Sequence, residues 1–335
     1  MLSKRARESR ALFVFALCVN RAPAAAAAAL AKLICRTKTV RIVSLFGCRS
    51  DRARNNPLAV TRPAPLAYAS MLQALEHLRR MRGGAQSHLF RCRDGAYYVV
   101  KFQNNPQHLR ILANEMLATR LAARLGLPVP PVTVVEVSPE LVENTADLVM
   151  QFATGRVACK PGRQFGSQYP GHPAEVSVHD YLPDERLVEI EDLEVFCGML
   201  VFDKWSCNTN GRQAVFFREA GRSRYQALMI DQGFCFNAGE WNFPDAPLRG
   251  LYARQRVYER VTGLESFEPW LGRLEHRITR AALGEAAERI PPEWYSDDAA
   301  ALEELLERLY QRRGRVRELL VSARDSSRQP FPNWK

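Results

Sequence analysis

From Met71 onward the apolar and polar positions fall into recognisable periods. "MLQALEHLRRMRGGAQSHLFRCRDGAYYVVKF" opens with a short amphipathic stretch, passes a glycine pair (Gly83, Gly84) and continues as two strand-like runs. Asp94-Gly95 between those runs predicts a hairpin, because that dipeptide suits a turn with positive φ. In "PQHLRILANEMLATRLAARLG", Leu109, Leu112 and Met116 recur at helical spacing, with Pro106 suited to a first turn and Gly126 to the C-terminal end. "PVPPVTVVEV" and "DLVMQF" read as two further strands, so the order is hairpin, helix, hairpin.

Beyond residue 152 the pattern is mainly helical. Helices are expected over Glu189–Asp203, roughly Tyr252–Thr262 and Gly272–Glu288. A long final helix from Ser296 carries Leu302, Leu305, Leu309, Val316 and Leu320 on one side, with Gly314 as its weak point. A β-hairpin, "QAVFFR" then "RYQALMID", interrupts this part, and "FGSQYPGHP" reads as a turn-rich surface loop. The fold class expected is α+β: a small β-rich lobe over 71–152, a larger mainly helical lobe over 153–335, and a cleft between them.

Composition changes the picture at one end only. The net charge of +11 in 335 residues suggests nucleic acid until it is located. Residues 1–70 hold 13 Lys and Arg against Glu8 and Asp51, whereas the rest balances 34 basic with 34 acidic residues. The body therefore gives no reason to expect nucleic acid. The Ala-rich leader has some features of a secretory signal, but Glu8 and Arg21 interrupt it and no run is long enough to span a bilayer. Residues 1–70 are expected to be a disordered or wrongly included leader, with a start near Met71 suiting the remainder. The eight cysteines form no C-x-x-C pair, which speaks against zinc and for reduced thiols in a cytoplasmic protein. The six histidines form no H-x₃-H pattern and are read as structural; no G-x-S-x-G is present.

The candidate chemistry lies in four places. Lys101 ends a strand, where a lysine aimed into a cleft neutralises phosphate oxygens, and Glu115 on the next helix is placed to hold it; the alternative is an edge lysine and a surface glutamate. The Gly83-Gly84 turn offers backbone N–H groups to phosphates, though it is neither G-x-G-x-x-G nor a Walker loop. "MIDQGF" delivers Asp231 at a bend permitted by Gly233, a carboxylate suited to Mg²⁺ or to capping its own turn. "FDKWSCNTNGRQ" admits two geometries. Asp203 and Asn208 stand as D-x₄-N, the spacing of a kinase base and its metal-binding amide; alternatively Asn210 occupies the base position and Asp203 is structural. Trp205 reads as core.

Taken together, the glycine turn, Lys101, Glu115, "FDKWSCNTNGRQ" and "MIDQGFCFNAGEWNF" resemble the HipA-like kinases, in particular stand-alone HipA-like kinase domains of bacteria, over about residues 72–325. The resemblance implies a bilobal protein-kinase-like fold, Mg·ATP as cofactor and transfer to a protein or small-molecule hydroxyl. It implies Lys101 as the phosphate-contacting lysine, Asp231 as the metal-binding aspartate and Asn208 as the asparagine two positions before the catalytic aspartate. Asn210 then stands where the family carries that aspartate and Val215 where a metal-binding asparagine usually sits, with Gln213 a substitute amide for the metal. An amide takes up no hydroxyl proton at neutral pH, so turnover is expected to be impaired, with Asp203 as an understudy base. The rival readings are a nucleotide-sensing pseudokinase and, more remotely, a DNA-associated toxin component acting through the leader. Membrane association is not expected; the acceptor, an antitoxin-like partner and the oligomeric state are not encoded in any motif.

Overall fold

The computed structural model describes residues 71–219 and 221–335; the expectations for the leader lie outside them. Five strands close into a barrel: β1 (Leu72–Arg80), β2 (His88–Cys92), β3 (Tyr97–Lys101), β4 (Val132–Val137) and β7 (Gly162–Gln168), in the order β1-β2-β3-β7-β4. The Asp94-Gly95 hairpin forms as expected. Gly95 takes φ +82°, and Asp94 accepts hydrogen bonds from the Ala96 N–H and the Tyr98 hydroxyl.

The opening amphipathic stretch is strand β1, antiparallel to β2 and parallel to β4, with register shifts after Ala74 and His77. Those irregularities blur its period, which is why no alternation announces it. The second hairpin does not form. β4 pairs with β1 and β7, while β5 (Val149–Phe152) pairs with β6 (Gly155–Ala158). The barrel takes its fifth strand from beyond residue 152, and "FGSQYPGHP" is half strand: Phe165 to Gln168 pair with β3 and β4. Gly166 permits this, because a Cβ there would meet Val135 Cγ2 at 2.5 Å.

Helix α1 (Ile111–Arg124) buries eleven of its fourteen residues. It begins after Leu109, which is 79% exposed and not part of the apolar face predicted for it. A short α2 (Pro139–Glu143) follows, capped by the Ser138 hydroxyl. The second part is built on α3 (Val195–Ser206), buried on all sides from Phe196 to Ser206, so a two-sided helical pattern is absent from its sequence. Against it pack α4 (Glu268–Arg277), α6 (Ala299–Arg312) and α7 (Val316–Arg324), while α5 (Arg280–Ala287) packs on α1 and α6. Trp205 is core, its indole N–H donating to Leu309 O at 2.8 Å. The expected long final helix is two helices joined by a 3₁₀ turn at Arg313–Arg315, which contains Gly314. All five predicted apolar positions are buried. The helix expected over Tyr252–Thr262 is only one 3₁₀ turn, and the one over Gly272–Glu288 is α4 and α5. The hairpin of β9 (Gln213–Arg218) and β10 (Gln226–Ile230) forms as expected and is joined by β8 (Ser177–His179).

This is an α+β fold with a β-rich first part and a helical second part. Among the described residues no helix is long and apolar enough to cross a membrane, and the five described cysteines are buried and free.

Candidate functional site

A cavity of about 320 Å³ lies where the barrel meets the helical part. Its rim includes Met81–Ala85, its walls Val99, Phe165, Val215, Leu228 and Met229, and its polar end Lys101, Glu115, Asn210, Gln213 and Asp231.

Lys101 ends β3 with its side chain buried. Nζ donates to Glu115 Oε1 at 2.5 Å and to Asp231 Oδ1 at 2.8 Å. Burial alone would pull the ammonium down, but Glu115 and Asp231 outweigh it and lift Lys101 above its ordinary value. Burial pushes the Glu115 carboxyl up, with Lys101 pulling the other way. Burial acts on Asp231 in the same sense, but Lys101 overrides it and holds that carboxyl below its usual range. One ammonium and two carboxyl groups are thus held together at one end of the cavity, with Lys101 bridging Glu115 and Asp231.

Glu115 does more than pair with the lysine. Its Oε1 accepts the Gly233 N–H at 2.7 Å and its Oε2 the Gln232 N–H at 3.1 Å. The backbone just after Asp231 is therefore tied to α1. Gly233 is required for space rather than for bending: a Cβ would meet Ile111 Cγ1 at 2.6 Å, whereas Asp231 itself adopts the left-handed φ of +61°. Asn114, fully buried, donates through Nδ2 to the carbonyls of Gly233, Cys235 and Ala238 and accepts the Trp241 indole N–H at 2.7 Å.

The glycine turn is the β1–β2 connection. Gly83 adopts φ +109°, Met81 N–H donates to Ser87 O at 2.7 Å, and Asn105 Nδ2 holds Ala85 O at 2.8 Å. The N–H groups of Arg82 to Ala85 make no hydrogen bond to a described residue. Open donors in a turn that borders the cavity suit an anion.

The loop after α3 places the residues of "FDKWSCNTNGRQ" in two different surroundings. Cys207 ends the helix in a left-handed conformation, φ +51°. Asp203 is fully buried and does not reach the cavity. Arg212 Nε donates to its Oδ2 at 2.7 Å, Arg212 Nη2 bonds its Oδ1, and Asn208 Nδ2 donates to Oδ1 at 3.0 Å. Asn208 is buried too, and its Oδ1 accepts the Asn210 N–H at 3.0 Å. The expectation of Asp203 as an understudy base fails on this geometry, and Asn208 has its side chain turned into the network rather than toward a metal. Asn210, Gln213 and the buried Val215 line the cavity. Gln213 pairs with Ile230 across the hairpin, one residue before Asp231.

Among the described residues no group of three or more His, Cys, Asp or Glu side chains is set to hold a metal. A cavity lined by both Asp231 and Gln213 still fits Mg²⁺, which characteristically takes one or two carboxylates and completes its shell with phosphate oxygens and water.

Sequence reasoning singled out Lys101, Glu115, Asp231, Asn210, Gln213 and the glycine pair, and the fold brings all of them to this cavity. It missed Arg212, whose Nη1 also donates to Ile230 O at 2.8 Å and so joins the loop to the strand carrying Asp231. It missed Asn114 as well; its position next to Glu115 is the only signal it leaves. The Phe165–Pro170 wall was hidden because a strand so rich in glycine and glutamine has no alternating pattern.

Residues 75–233 match the family model described as HipA-like kinase. No match is found among curated proteins. Among solved structures, the chain is similar to the Helicobacter pylori proinflammatory kinase CtkA at 14% identity, covering 77% of this chain and 100% of that one with a TM-score of 0.49. It is also similar to a Golgi casein kinase with Mn/ADP bound, at 12% identity, 77% and 73% coverage and a TM-score of 0.44. A third similarity is to HipA of Shewanella oneidensis MR-1, in a toxin–antitoxin complex with HipB and operator DNA, at 14% identity, 81% and 70% coverage and a TM-score of 0.38.

Proposed function

We propose that this HipA-like kinase chain binds Mg·ATP in the cavity and moves the γ-phosphate to a hydroxyl of a protein or small molecule, in the bacterial cytoplasm. The observation that carries this reading is the Lys101 ammonium, fixed between Glu115 and Asp231 beneath a glycine turn with open N–H donors. In it, Lys101 neutralises phosphate oxygens and Glu115 keeps the ammonium aimed. The turn at Arg82–Ala85 covers the phosphates, and the apolar walls at Val99, Phe165 and Leu228 receive the base. Asp231 and Gln213 would hold Mg²⁺, which when bound supplies charge neutralisation at the phosphates. Asn210 contacts the acceptor hydroxyl as a hydrogen-bonding amide and cannot take its proton, so transfer proceeds on positioning and charge neutralisation.

A second reading is favoured by one observation: Asn210 and Val215 line the cavity where a base and a second metal amide are wanted, and Asp203 is locked to Arg212. It makes the chain a nucleotide-sensing pseudokinase. ADP release and phosphate incorporation by the full chain, measured beside Asp231→Ala, test the proposal. Turnover lost in the variant supports a transferase. Nucleotide binding without turnover favours the pseudokinase, and absence of both overturns the kinase reading.

A further inference from the structure

Asn210 is followed by Gly211, and this is the only Asn-Gly pair in the chain. That dipeptide is chemically special. An asparagine amide carbon is electrophilic, and the peptide nitrogen of the next residue is its nearest nucleophile; with glycine there is no side chain to hinder the approach. Here the two groups are neighbours in the folded loop: the Gly211 N–H donates to Asn210 Oδ1 at 2.9 Å, which keeps the side-chain amide folded back beside the peptide nitrogen. Asn208 holds the other side by accepting the Asn210 N–H, and is itself anchored on Asp203. Gly211 is exposed, and no atom lies within 4 Å of where its Cβ would stand, so water has free access.

We propose that Asn210 is a self-modification site: the loop converts it by deamidation through a cyclic imide to aspartate and isoaspartate, placing a carboxylate in the cavity wall. The Gly211 nitrogen loses its proton to water and attacks Asn210 Cγ, forming a carbon–nitrogen bond and a five-membered imide. The bond from Cγ to the side-chain nitrogen breaks, and that nitrogen leaves as ammonia with the proton. Water then opens the ring. Cleavage at the Cγ–N bond leaves aspartate with the original backbone, and cleavage at the main-chain carbonyl leaves isoaspartate. One water is consumed and one ammonia released, with no oxidant or co-reactant. The consequence, though not the modification, rests on the kinase reading: the new carboxylate supplies the proton acceptor, so freshly made chain is slow and aged chain is faster.

The test is peptide mass mapping of the full-length protein aged in mildly alkaline buffer against protein kept cold, with ADP release measured on the same samples. The expected result is the amide-to-acid mass change at position 210 ahead of every other asparagine, and its suppression in Gly211→Val, for which the open space leaves room. ADP release rises with the aspartate fraction, counted apart from isoaspartate by chromatographic separation of the two isobaric peptides, toward that of Asn210→Asp. Retention of the amide at 210 while other asparagines convert overturns the proposal. So does conversion to aspartate with no rise in ADP release when Asn210→Asp is active. If Asn210→Asp is itself inert while 210 converts, the modification stands and the kinase reading fails.

Discussion

Asp203 and Arg212 meet with both side chains fully buried, the guanidinium taking both carboxylate oxygens. The carboxylate that sequence spacing offers as a base is thereby spent on architecture. Through Asn208 it fixes the loop that carries Asn210, and through Arg212 it fixes Ile230 beside Asp231. Removing one partner leaves a buried, unpaired charge, which costs about 3–5 kcal/mol. Arg212→Met is therefore expected to lower stability by that order in denaturant unfolding, whereas replacing both residues by apolar ones costs much less. A role for Asp203 as base would instead show turnover lost with stability kept.

Asn210→Asp places a proton acceptor in the cavity directly. General-base help is worth on the order of 10²–10⁴ in rate. Single-turnover phosphate transfer is expected to rise by that order, with nucleotide affinity nearly unchanged. An unchanged rate in a variant that still binds nucleotide would favour the pseudokinase.

Gly233→Ala pushes a methyl group against Ile111 and toward Glu115 Oε1. Overpacking of this kind costs about 1–3 kcal/mol. Because Glu115 also accepts the Gly233 N–H, the variant is expected to lose more of its nucleotide-dependent stabilisation than of its basal stability. Thermal unfolding with and without nucleotide separates the two.

His88 gives the pH dependence. Its ring is buried in the barrel beside His77, 3.0 Å away, and burial, aided by His77 and Arg80 against Asp147, brings it down to about 4. A histidine depressed in the folded state adds stability that is fully present above its unfolded value near 6.5 and is lost as pH falls toward about 4. The loss amounts to about 3 kcal/mol. His77 is lowered too, chiefly by burial, and acts in the same direction. The difference in unfolding free energy between the native chain and His88→Leu, followed from pH 7 to 4, is expected to shrink as pH falls; a constant difference contradicts this.

How much of this was legible in the sequence depended on whether a residue's role is local. The Asp94-Gly95 turn, the 213–230 hairpin and the buried stripe of the last helices are set by neighbours, and period and turn chemistry revealed them. Lys101, Glu115 and Asp231 drew notice because strand-end lysine, helix glutamate and a bend aspartate form a familiar set; that Lys101 and Asp231 meet across 130 residues is a property of the fold. The fifth barrel strand and the Asp203–Arg212 pair were not legible. A glycine-bearing strand carries no alternation, and burial of two opposite charges leaves the same letters as two solvated ones.

The central claim, a metal–nucleotide site built on Lys101, Glu115 and Asp231, is tested most directly by thermal unfolding of the full chain with and without Mg·ATP, beside Asp231→Ala. A ligand bound only by the folded state stabilises it by about 2.7 kcal/mol at a hundredfold excess over its Kd. The account predicts a nucleotide-dependent rise in Tm that the variant loses. Equal Tm values for the native chain with and without saturating nucleotide would contradict it.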